Sequence, residues 1–248
     1  MDSTWVRTTC AQNGLQLSSE QLRLLEEYAV RLLEWNKKIN LISRRDEENF
    51  WTRHILHCLG LVFKVEIPAG VRILDLGTGG GLPGVVLKIV RPYLLFTLLD
   101  STQKKINVVK DLLGSLGLAG IDAVWGRAED FGKQREYVER YDIVVARAVA
   151  PLKSLVRWSY PFLKKSTRKA DVGREVKPEA TKKRINGPTL LAFKGGDLDD
   201  EIRQLRNQLN VASISTIGLT LKGSTQIDDT DKKIVVVEYA RSDKQKAE

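Results

Sequence analysis

The stretch Ile73-Leu74-Asp75-Leu76-Gly77-Thr78-Gly79-Gly80-Gly81-Leu82-Pro83-Gly84 decides the fold. It begins with apolar residues around one carboxylate, which is typical of a short buried strand. Glycines follow at the spacing G-x-G-x-x-G, which is typical of the tight turn between a strand and a helix that binds a nucleotide at its N-terminus. A strand-to-helix turn without any ligand would carry the same glycines. The stretch therefore predicts an α/β fold, with a nucleotide-type cofactor as its functional interpretation.

Two carboxylates bear on which cofactor this turn would bind. Asp100 lies 21 residues after Gly79, where it can accept hydrogen bonds from both ribose hydroxyls of NAD or of S-adenosylmethionine, or can cap a helix. Asp75 distinguishes the two cofactors, because it would repel a pyrophosphate and attract the ammonium and sulfonium groups of S-adenosylmethionine. The sequence therefore favours S-adenosylmethionine. Ala128 and Glu129, just after the third predicted strand, are expected to border the adenine.

Strand and helix patterns alternate along the rest of the chain. Five strands are predicted over 71–76, 94–99, 121–125, 142–146 and 189–193. The helical patterns between them predict a parallel sheet covered by helices on both faces. Two last strands, over 212–221 and 233–240, are too close together for a crossover helix, so we expect an antiparallel hairpin.

The residues before this sheet predict a helical extension. Ser18 and Gln21 have the spacing of a capping box, which predicts a helix from there to about Lys38. A second helix is predicted over 46–63, and another, within the sheet region, over 133–139. The chain is divided into an N-terminal helical extension (1–70), an α/β domain (71–241) and a tail (242–248).

The composition excludes several classes of protein. Hydrophobic residues make up 42% of the 248 residues, which is too many for a disordered chain. No stretch approaches the roughly 20 apolar residues of a membrane span, and residues 1–5 lack the pattern of a signal peptide. Cys10 and Cys58 cannot build a disulfide framework, and two histidines give no metal signature. We therefore expect a cytoplasmic protein without a metal.

Most of the excess positive charge lies in one segment. The chain has 40 basic and 31 acidic residues, a net charge of +9, and residues 164–184 hold nine basic and three acidic ones, which is +6 of that total. Such a segment indicates a polyanionic partner, and nucleic acid suits it better than a membrane because it has almost no apolar face. The alternative is a solvated loop whose lysines only keep the protein soluble.

The residues after the fourth predicted strand, Ala146-Arg147-Ala148-Val149-Ala150-Pro151, bear on the kind of methyl transfer. They contain neither the acidic or Asn-Pro-Pro-aromatic motif typical of amine methylation nor the cysteine nucleophile of pyrimidine C5 methylation. An acceptor that already has an exposed in-plane lone pair and no proton to lose, such as guanine N7, needs no general base. We therefore expect no catalytic side chain, because orientation alone can contribute about 7–11 kcal/mol.

The glycine motif over 75–84, with Asn40-Leu41-Ile42, Arg53-His54-Ile55-Leu56 and Ala146-Arg147-Ala148, closely resembles the bacterial RsmG (GidB) family. The resemblance runs from about residue 24 to residue 240. It implies a Rossmann-like class I S-adenosylmethionine-dependent methyltransferase domain over 71–241, and methylation of N7 of a guanine in the 530-loop region of 16S rRNA. Residues 166–187 depart from the family pattern and are interpreted as a basic insertion.

The resemblance also implies which residues form the site. The cofactor contacts implied by the family motifs are Gly77, Leu82, Asp100, Ser101, Thr102, Ala128, Glu129 and Arg147, and the chain's own pattern adds Asp75 and Gly79. Arg147 is also expected to orient the guanine, with an ion pair to Glu129 or Asp130 as the alternative. Candidate rRNA contacts are Arg53, Lys164, Lys165 and Lys194.

The expected partner is 16S rRNA, the small ribosomal subunit or one of its assembly intermediates, bound by a monomer that does not contact a membrane. Two other functions are consistent with the same motifs. One is an NAD-dependent oxidoreductase, and the other is a non-catalytic RNA-binding protein that retains the cofactor fold.

The basic insertion gives a first prediction. Deleting 166–187 should flatten the dependence of rRNA binding on salt concentration, because fewer phosphate contacts release fewer counterions. Cofactor affinity should stay at the wild-type value, which serves as the control for folding. The dissociation constant for 16S rRNA, measured at several salt concentrations from about 50 to 200 mM, gives the salt slope of each protein. An unchanged salt slope would leave the insertion as a solvated loop.

Overall fold

A seven-stranded sheet lies at the centre of the computed structural model, which describes residues 3–165, 182–185, 187–205, 211–224 and 231–240. Its strands are β1 (Arg72–Leu76), β2 (Leu95–Asp100), β3 (Ile121–Trp125), β4 (Ile143–Arg147), β5 (Thr189–Gly195), β6 (Val211–Gly218) and β7 (Lys232–Tyr239). Their order across the sheet is β3-β2-β1-β4-β5-β7-β6. The first five are parallel, and β7 is antiparallel to both β5 and β6. The predicted parallel sheet with a C-terminal antiparallel hairpin is confirmed.

Helices cover both faces of this sheet. They are α1 (Ser3–Gln12), α2 (Ser19–Asn36), α3 (His57–Lys64), α4 (Gly84–Val90), α5 (Gln103–Leu116), α6 (Ala128–Phe131), α7 (Leu152–Ser159) and α8 (Asp199–Leu205). The predicted capping box starts α2, since the Gln21 N–H donates to the Ser18 hydroxyl (3.1 Å) and the Ser18 N–H donates to the Gln21 side chain (3.0 Å). None of the described helices has the length and apolar character needed to span a bilayer.

Two of the predicted helices differ from the structure. The helix expected over 46–63 is interrupted: Arg44–Asp46 form a 3-10 turn, Trp51–Leu56 form a π-helix, and α3 follows. The helix expected over 133–139 was wrong, because these residues form turns. None of their side chains is buried, so packing does not stabilise a helix there.

The N-terminal helices share one core with the sheet. Side chains of α2 and α3, including Leu25, Leu32 and Leu59, are fully buried in the same cluster as Ile73 of β1 and Val145 of β4. A second cluster on the other face joins the sheet to α7 and α8. The extension therefore forms part of the wall of the α/β unit, and it can supply residues to a site at the edge of the sheet.

Both described ends of the basic segment lie at the amino ends of the strands. The Lys164 N–H donates to the carbonyl of Tyr141, just before β4. Lys183 and Arg184 form a short parallel pair with Val65–Glu66, which precedes β1. Residues 166–181 lie outside the described residues. Because residues 182–185 pack against the body of the protein, a deletion confined to 166–181 is the cleaner form of the insertion experiment.

Candidate cofactor and substrate pocket

A cavity of about 1200 Å³ opens at the carboxyl ends of β1, β2, β4 and β5. In an open parallel sheet, ligands bind at this edge. One part of the wall follows the strands and consists of Gly77–Gly80, Asp100–Thr102, Arg147–Val149 and Phe193–Gly195. The N-terminal extension supplies another part through Leu41, Ile42, Ser43 and residues from Asp46 to His57. The cavity is therefore built by both parts of the chain.

The glycine turn has a backbone that other residues would not adopt easily. Gly77 and Gly79 have φ values of +72° and +58°, in the left-handed region that favours glycine. A Cβ at Gly77 would lie 2.5 Å from a methyl group of Val149, so the loop after β4 closes directly on the turn. At Gly79 no atom would lie closer than 3.8 Å to a Cβ. The turn is therefore packed on one side and open towards the cavity at Gly79.

Asp100 connects the glycine turn to the loop after β2. One carboxylate oxygen accepts a hydrogen bond from the Gly79 N–H (2.9 Å), and the other accepts one from the Thr102 N–H (2.8 Å). The side chain still lines the cavity, and each oxygen retains a free lone pair. Asp100 therefore combines the two predicted roles, because it holds the start of α5 and also offers acceptors to a ligand.

Asp75 lies beneath the turn instead of in the wall of the cavity. Its side chain is completely buried, and one oxygen accepts hydrogen bonds from the Thr78 hydroxyl (2.7 Å) and the Gly84 N–H (2.8 Å). Burial raises the pKa of Asp75 to about 7, against the lowering effect of these two hydrogen bonds. Asp75 therefore contacts the turn from below and does not line the cavity, and its predicted role at the methionine end of the cofactor, directly or through water, stays a prediction.

The N-terminal extension is fastened to the turn by buried polar groups. The Tyr28 hydroxyl donates to the carbonyl of Gly80 (2.9 Å). The side-chain oxygen of Asn36 accepts from the N–H groups of Leu41 (2.8 Å) and Ile42 (3.0 Å), which line the cavity. Sequence reasoning missed Tyr28 and Asn36, and the only signal was a polar group on the apolar face of α2.

Arg147 crosses from β4 to the π-helix of the extension. One terminal nitrogen lies 2.8 Å from Nδ1 of His54, and the other donates to the carbonyl of Arg53 at 3.4 Å. Burial, with the charge of Arg147 as a second cause, lowers the pKa of His54 to about 4. Burial also lowers the pKa of His57, one turn later, to about 3. Both histidines are therefore neutral near pH 7.

The alternative role of Arg147 was an ion pair with Glu129 or Asp130. Among the described residues Arg147 forms no such ion pair.

The other predicted cofactor residues lie in or beside the cavity. Leu82, Ser101 and Thr102 line it. Ala128 and Glu129 begin α6 after the neighbouring strand and are not part of the wall. They lie next to it, however, because the Gly126 N–H donates to the carbonyl of Asp100 (3.0 Å).

The structure separates the four predicted rRNA contacts into two pairs. Arg53 and Lys194 line the cavity, where Arg53 pairs with Asp46 and Lys194 lies 3.0 Å from Glu201. Lys164 pairs with Asp142 (2.7 Å) and Lys165 with Glu139 (2.6 Å), at the amino ends of the strands. The structure does not bring Lys164 and Lys165 into the cavity. Two cations that sequence reasoning missed, Lys105 and Lys232, do line it.

No group of three or more His, Cys, Asp or Glu side chains in the described part of the chain is arranged to hold a metal ion. The polar groups that line the cavity include a bridging carboxylate, open backbone at a glycine turn and an arginine with spare donors, and each of these can bind an organic ligand.

Known proteins are similar to this chain in sequence and in fold. Residues 21–170 match the sequence model of the GidB family, described as rRNA small subunit methyltransferase G. The chain is 38% identical over 220 residues to the ribosomal RNA small subunit methyltransferase G of Desulforamulus reducens, which covers 89% of this chain and 83% of that one. The protein of the same name from a Geobacillus strain is 30% identical over 242 residues, with 98% and 92% covered. For that of Moorella thermoacetica the identity is 41% over 151 residues, with 61% and 63% covered.

A solved structure supports the fold independently. Aeropyrum pernix fibrillarin, crystallised with natively bound S-adenosyl-L-methionine, aligns with a TM-score of 0.50 and 18% identity, covering 75% of this chain and 74% of that one. At that identity the comparison bears on the fold alone. The predicted Rossmann-like class I methyltransferase fold is confirmed.

The buried carboxylate of Asp75 gives a prediction about stability and pH. Its pKa is about 7 in the folded protein and about 4 in an unfolded chain. The folded protein therefore binds the extra proton between these values, and its stability falls as the pH rises from about 4 to 7. In Asp75→Asn this dependence is absent. The free energy of unfolding of the wild type should fall relative to the variant by up to about 4 kcal/mol over this range, at about 1.4 kcal/mol per pKa unit.

Denaturant unfolding of both proteins at several pH values between about 4.5 and 8 measures the difference in their free energies of unfolding. This range covers most of the window set by the two pKa values. Asp122→Asn, at an exposed carboxylate on β3, is the matched control and should follow the wild type. Parallel curves for wild type and Asp75→Asn would show that Asp75 has an ordinary pKa.

Proposed function

Because the chain belongs to the rRNA small subunit methyltransferase G family, we propose that the cavity at the carboxyl ends of its strands is where it methylates N7 of a guanine in the 530-loop region of 16S rRNA. Membership in this family confirms the predicted enzyme class, an S-adenosylmethionine-dependent rRNA methyltransferase, and its cofactor. It also confirms rRNA as the predicted kind of substrate. A cytoplasmic monomer stays a prediction, and naked rRNA and an assembled particle are both open as the form of the substrate.

The observation that carries the proposal is the carboxylate of Asp100 beside the open glycine turn. Each of its two oxygens accepts one backbone N–H and retains a lone pair, and the residue lines the cavity, which suits the two hydroxyls of a ribose. Gly79, where a Cβ would have open space, allows a ligand to approach the backbone. S-adenosylmethionine fits this cradle, and when bound it supplies an electrophilic methyl group on its sulfonium.

The residues that would hold the cofactor follow from their places along the edge of the sheet. Asp100, Ser101 and Thr102 after β2 lie on the ribose side. The turn after β1, with Gly77, Gly79 and Leu82, lies next along the edge, and Arg147 after β4 follows it. Ala128 and Glu129, beyond β2 on the β3 side, would border the adenine.

The chain's part in the reaction is to orient the guanine. Guanine N7 carries a lone pair in the plane of the ring and loses no proton on methylation, so the neutral histidines of the cavity need not act as bases. Placing the acceptor nitrogen in line with the methyl group can by itself contribute about 7–11 kcal/mol. Arg53 and Lys194 at the cavity, with Lys105 and Lys232, supply positive charge for the rRNA backbone.

The reaction is tested by mapping N7-methylguanine in 16S rRNA from a strain that lacks this gene. We expect the 530-loop mark to disappear, to return with the wild-type gene, and to stay absent with Asp100→Ala. Survival of every N7 mark after deletion would contradict the proposal. If purified protein bound 16S rRNA or 30S particles tightly but incorporated no methyl group, a non-catalytic RNA-binding protein would be the better description.

Asp100 gives a prediction about affinity. Asp100→Ala should weaken binding of S-adenosylhomocysteine by at least about 10-fold, because hydrogen bonds to a charged acceptor contribute about 1.5–3 kcal/mol each. Isothermal titration calorimetry measures the dissociation constant. Asp122→Ala, at an exposed carboxylate on the adjacent strand, is the control and should bind like the wild type. Unchanged affinity in Asp100→Ala would remove the ribose assignment.

A further inference from the structure

The contact between Arg147 and His54 joins two parts of the chain that are 93 residues apart. His54 belongs to the π-helix Trp51–Leu56, and its ring stacks on Phe50 with 5.4 Å between centroids. Only 7% of the residue is exposed. The imidazole is therefore fixed by its surroundings, and the guanidinium at 2.8 Å from it is restrained in turn.

The chemistry of this contact fixes the state of the imidazole. A guanidinium can only donate hydrogen bonds, so Nδ1 of His54 must accept and carries no proton. The proton of the neutral ring is then on Nε2, which lies 3.8 Å from a carboxylate oxygen of Asp46, beyond hydrogen-bond distance. The lowered pKa of His54 agrees with this state.

A neutral partner leaves the charge of Arg147 available. A carboxylate in place of His54 would hold the guanidinium equally well but would cancel its charge. The neighbouring cation Lys194 is already paired, at 3.0 Å from Glu201. Among the described residues, Arg147 therefore has no carboxylate within ion-pair distance, and the carboxyl group on which its charge acts is the buried Asp75.

Arg147 also retains unused donors. The contacts to His54 and to the Arg53 carbonyl use one N–H on each terminal nitrogen, so three of its five N–H groups remain. One of them, on Nε, is buried and has no hydrogen-bond partner among the described residues. The other two, one on each terminal nitrogen of a residue that lines the cavity, can bind a ligand with acceptor oxygens.

The position of Arg147 along the sheet indicates which oxygens these are. Asp100 ends β2 and Arg147 ends β4, with β1 and its glycine turn between them. Two strand spacings are roughly 10 Å. A nucleoside whose ribose is bound at Asp100 would extend its amino-acid part across the turn towards Arg147. The acceptor that reaches Arg147 by this route is the α-carboxylate of that part, and bidentate binding of carboxylates is the characteristic use of a guanidinium.

We propose that His54 is a positioning residue, which holds the Arg147 guanidinium so that its free N–H groups bind the α-carboxylate of the cofactor. The inference rests on the proposed placement of the cofactor in this cavity. It does not depend on the identity of the RNA.

Calorimetry with two ligands tests the proposal. S-adenosylhomocysteine carries the α-carboxylate, and 5′-methylthioadenosine has the same nucleoside without it. His54→Leu removes the acceptor and keeps an apolar side chain of similar size, and we expect binding of S-adenosylhomocysteine to weaken by about 10-fold. Binding of 5′-methylthioadenosine should change by less than about twofold. His54→Asn carries an amide oxygen at the same bond separation from Cβ as Nδ1, and it should stay within about threefold of the wild type.

A double-mutant cycle separates positioning from general packing. If His54 acts through Arg147, His54→Leu should have almost no further effect in an Arg147→Ala background. Cys58→Ala, at a buried residue of α3 that does not line the cavity, is the control for repacking near the π-helix and should bind both ligands like the wild type.

Three results would overturn the proposal. The first is an equal loss of affinity of His54→Leu for S-adenosylhomocysteine and 5′-methylthioadenosine. The second is an equal loss of affinity for S-adenosylhomocysteine in His54→Leu and His54→Asn. The third is additivity of the His54→Leu and Arg147→Ala effects in the double-mutant cycle. If His54→Leu does not fold, Arg147→Ala alone decides, because the proposal requires it to weaken S-adenosylhomocysteine selectively over 5′-methylthioadenosine. A wild type that binds S-adenosylhomocysteine but methylates no rRNA would contradict the proposed function and leave this binding test decisive.

Discussion

The hydrogen bonds that the buried Asp75 carboxylate accepts from Thr78 and Gly84 hold the turn on which the rest of the structure depends. They join the end of β1 to the start of α4 across seven intervening residues, so the backbone between them has few conformations. Glycines then supply the left-handed torsions that this path needs. Because the turn is fixed from below, its upper surface can remain open to a ligand.

The turn also organises its neighbours on either side. The N–H groups of Gly77 and Thr78 donate to the carbonyl of Leu99, at the end of β2, and the Gly79 N–H donates to Asp100. On the other side, Val149 packs where a side chain at Gly77 would lie. Displacement of the turn would therefore move Asp100 and the loop that follows Arg147 together. A short segment of backbone thus couples the ends of β2 and β4.

The sequence predicts the parts of this arrangement that depend on local chemistry. Alternation of apolar strands and helices, the glycine spacing and the acidic residue at the end of β2 are local signals, and each agrees with the structure. The direction of the Asp75 side chain is not a local signal, because β1 is buried on both faces and its pattern of apolar residues does not distinguish them. The contact between Arg147 and His54 joins positions far apart in the chain, so no periodicity could reveal it. The π-helix over Trp51–Leu56 is likewise set by packing, since the residues around it favour an ordinary helix.

The distribution of charge shows where rRNA can meet the protein. The basic segment leaves and rejoins the described structure at the amino ends of the strands, through Lys164 and Arg184, whereas the cavity opens at their carboxyl ends. A strand of five residues, such as β1 or β4, separates these edges by roughly 17 Å. Charge at the amino ends therefore lies on the opposite edge of the sheet from the cations that line the cavity.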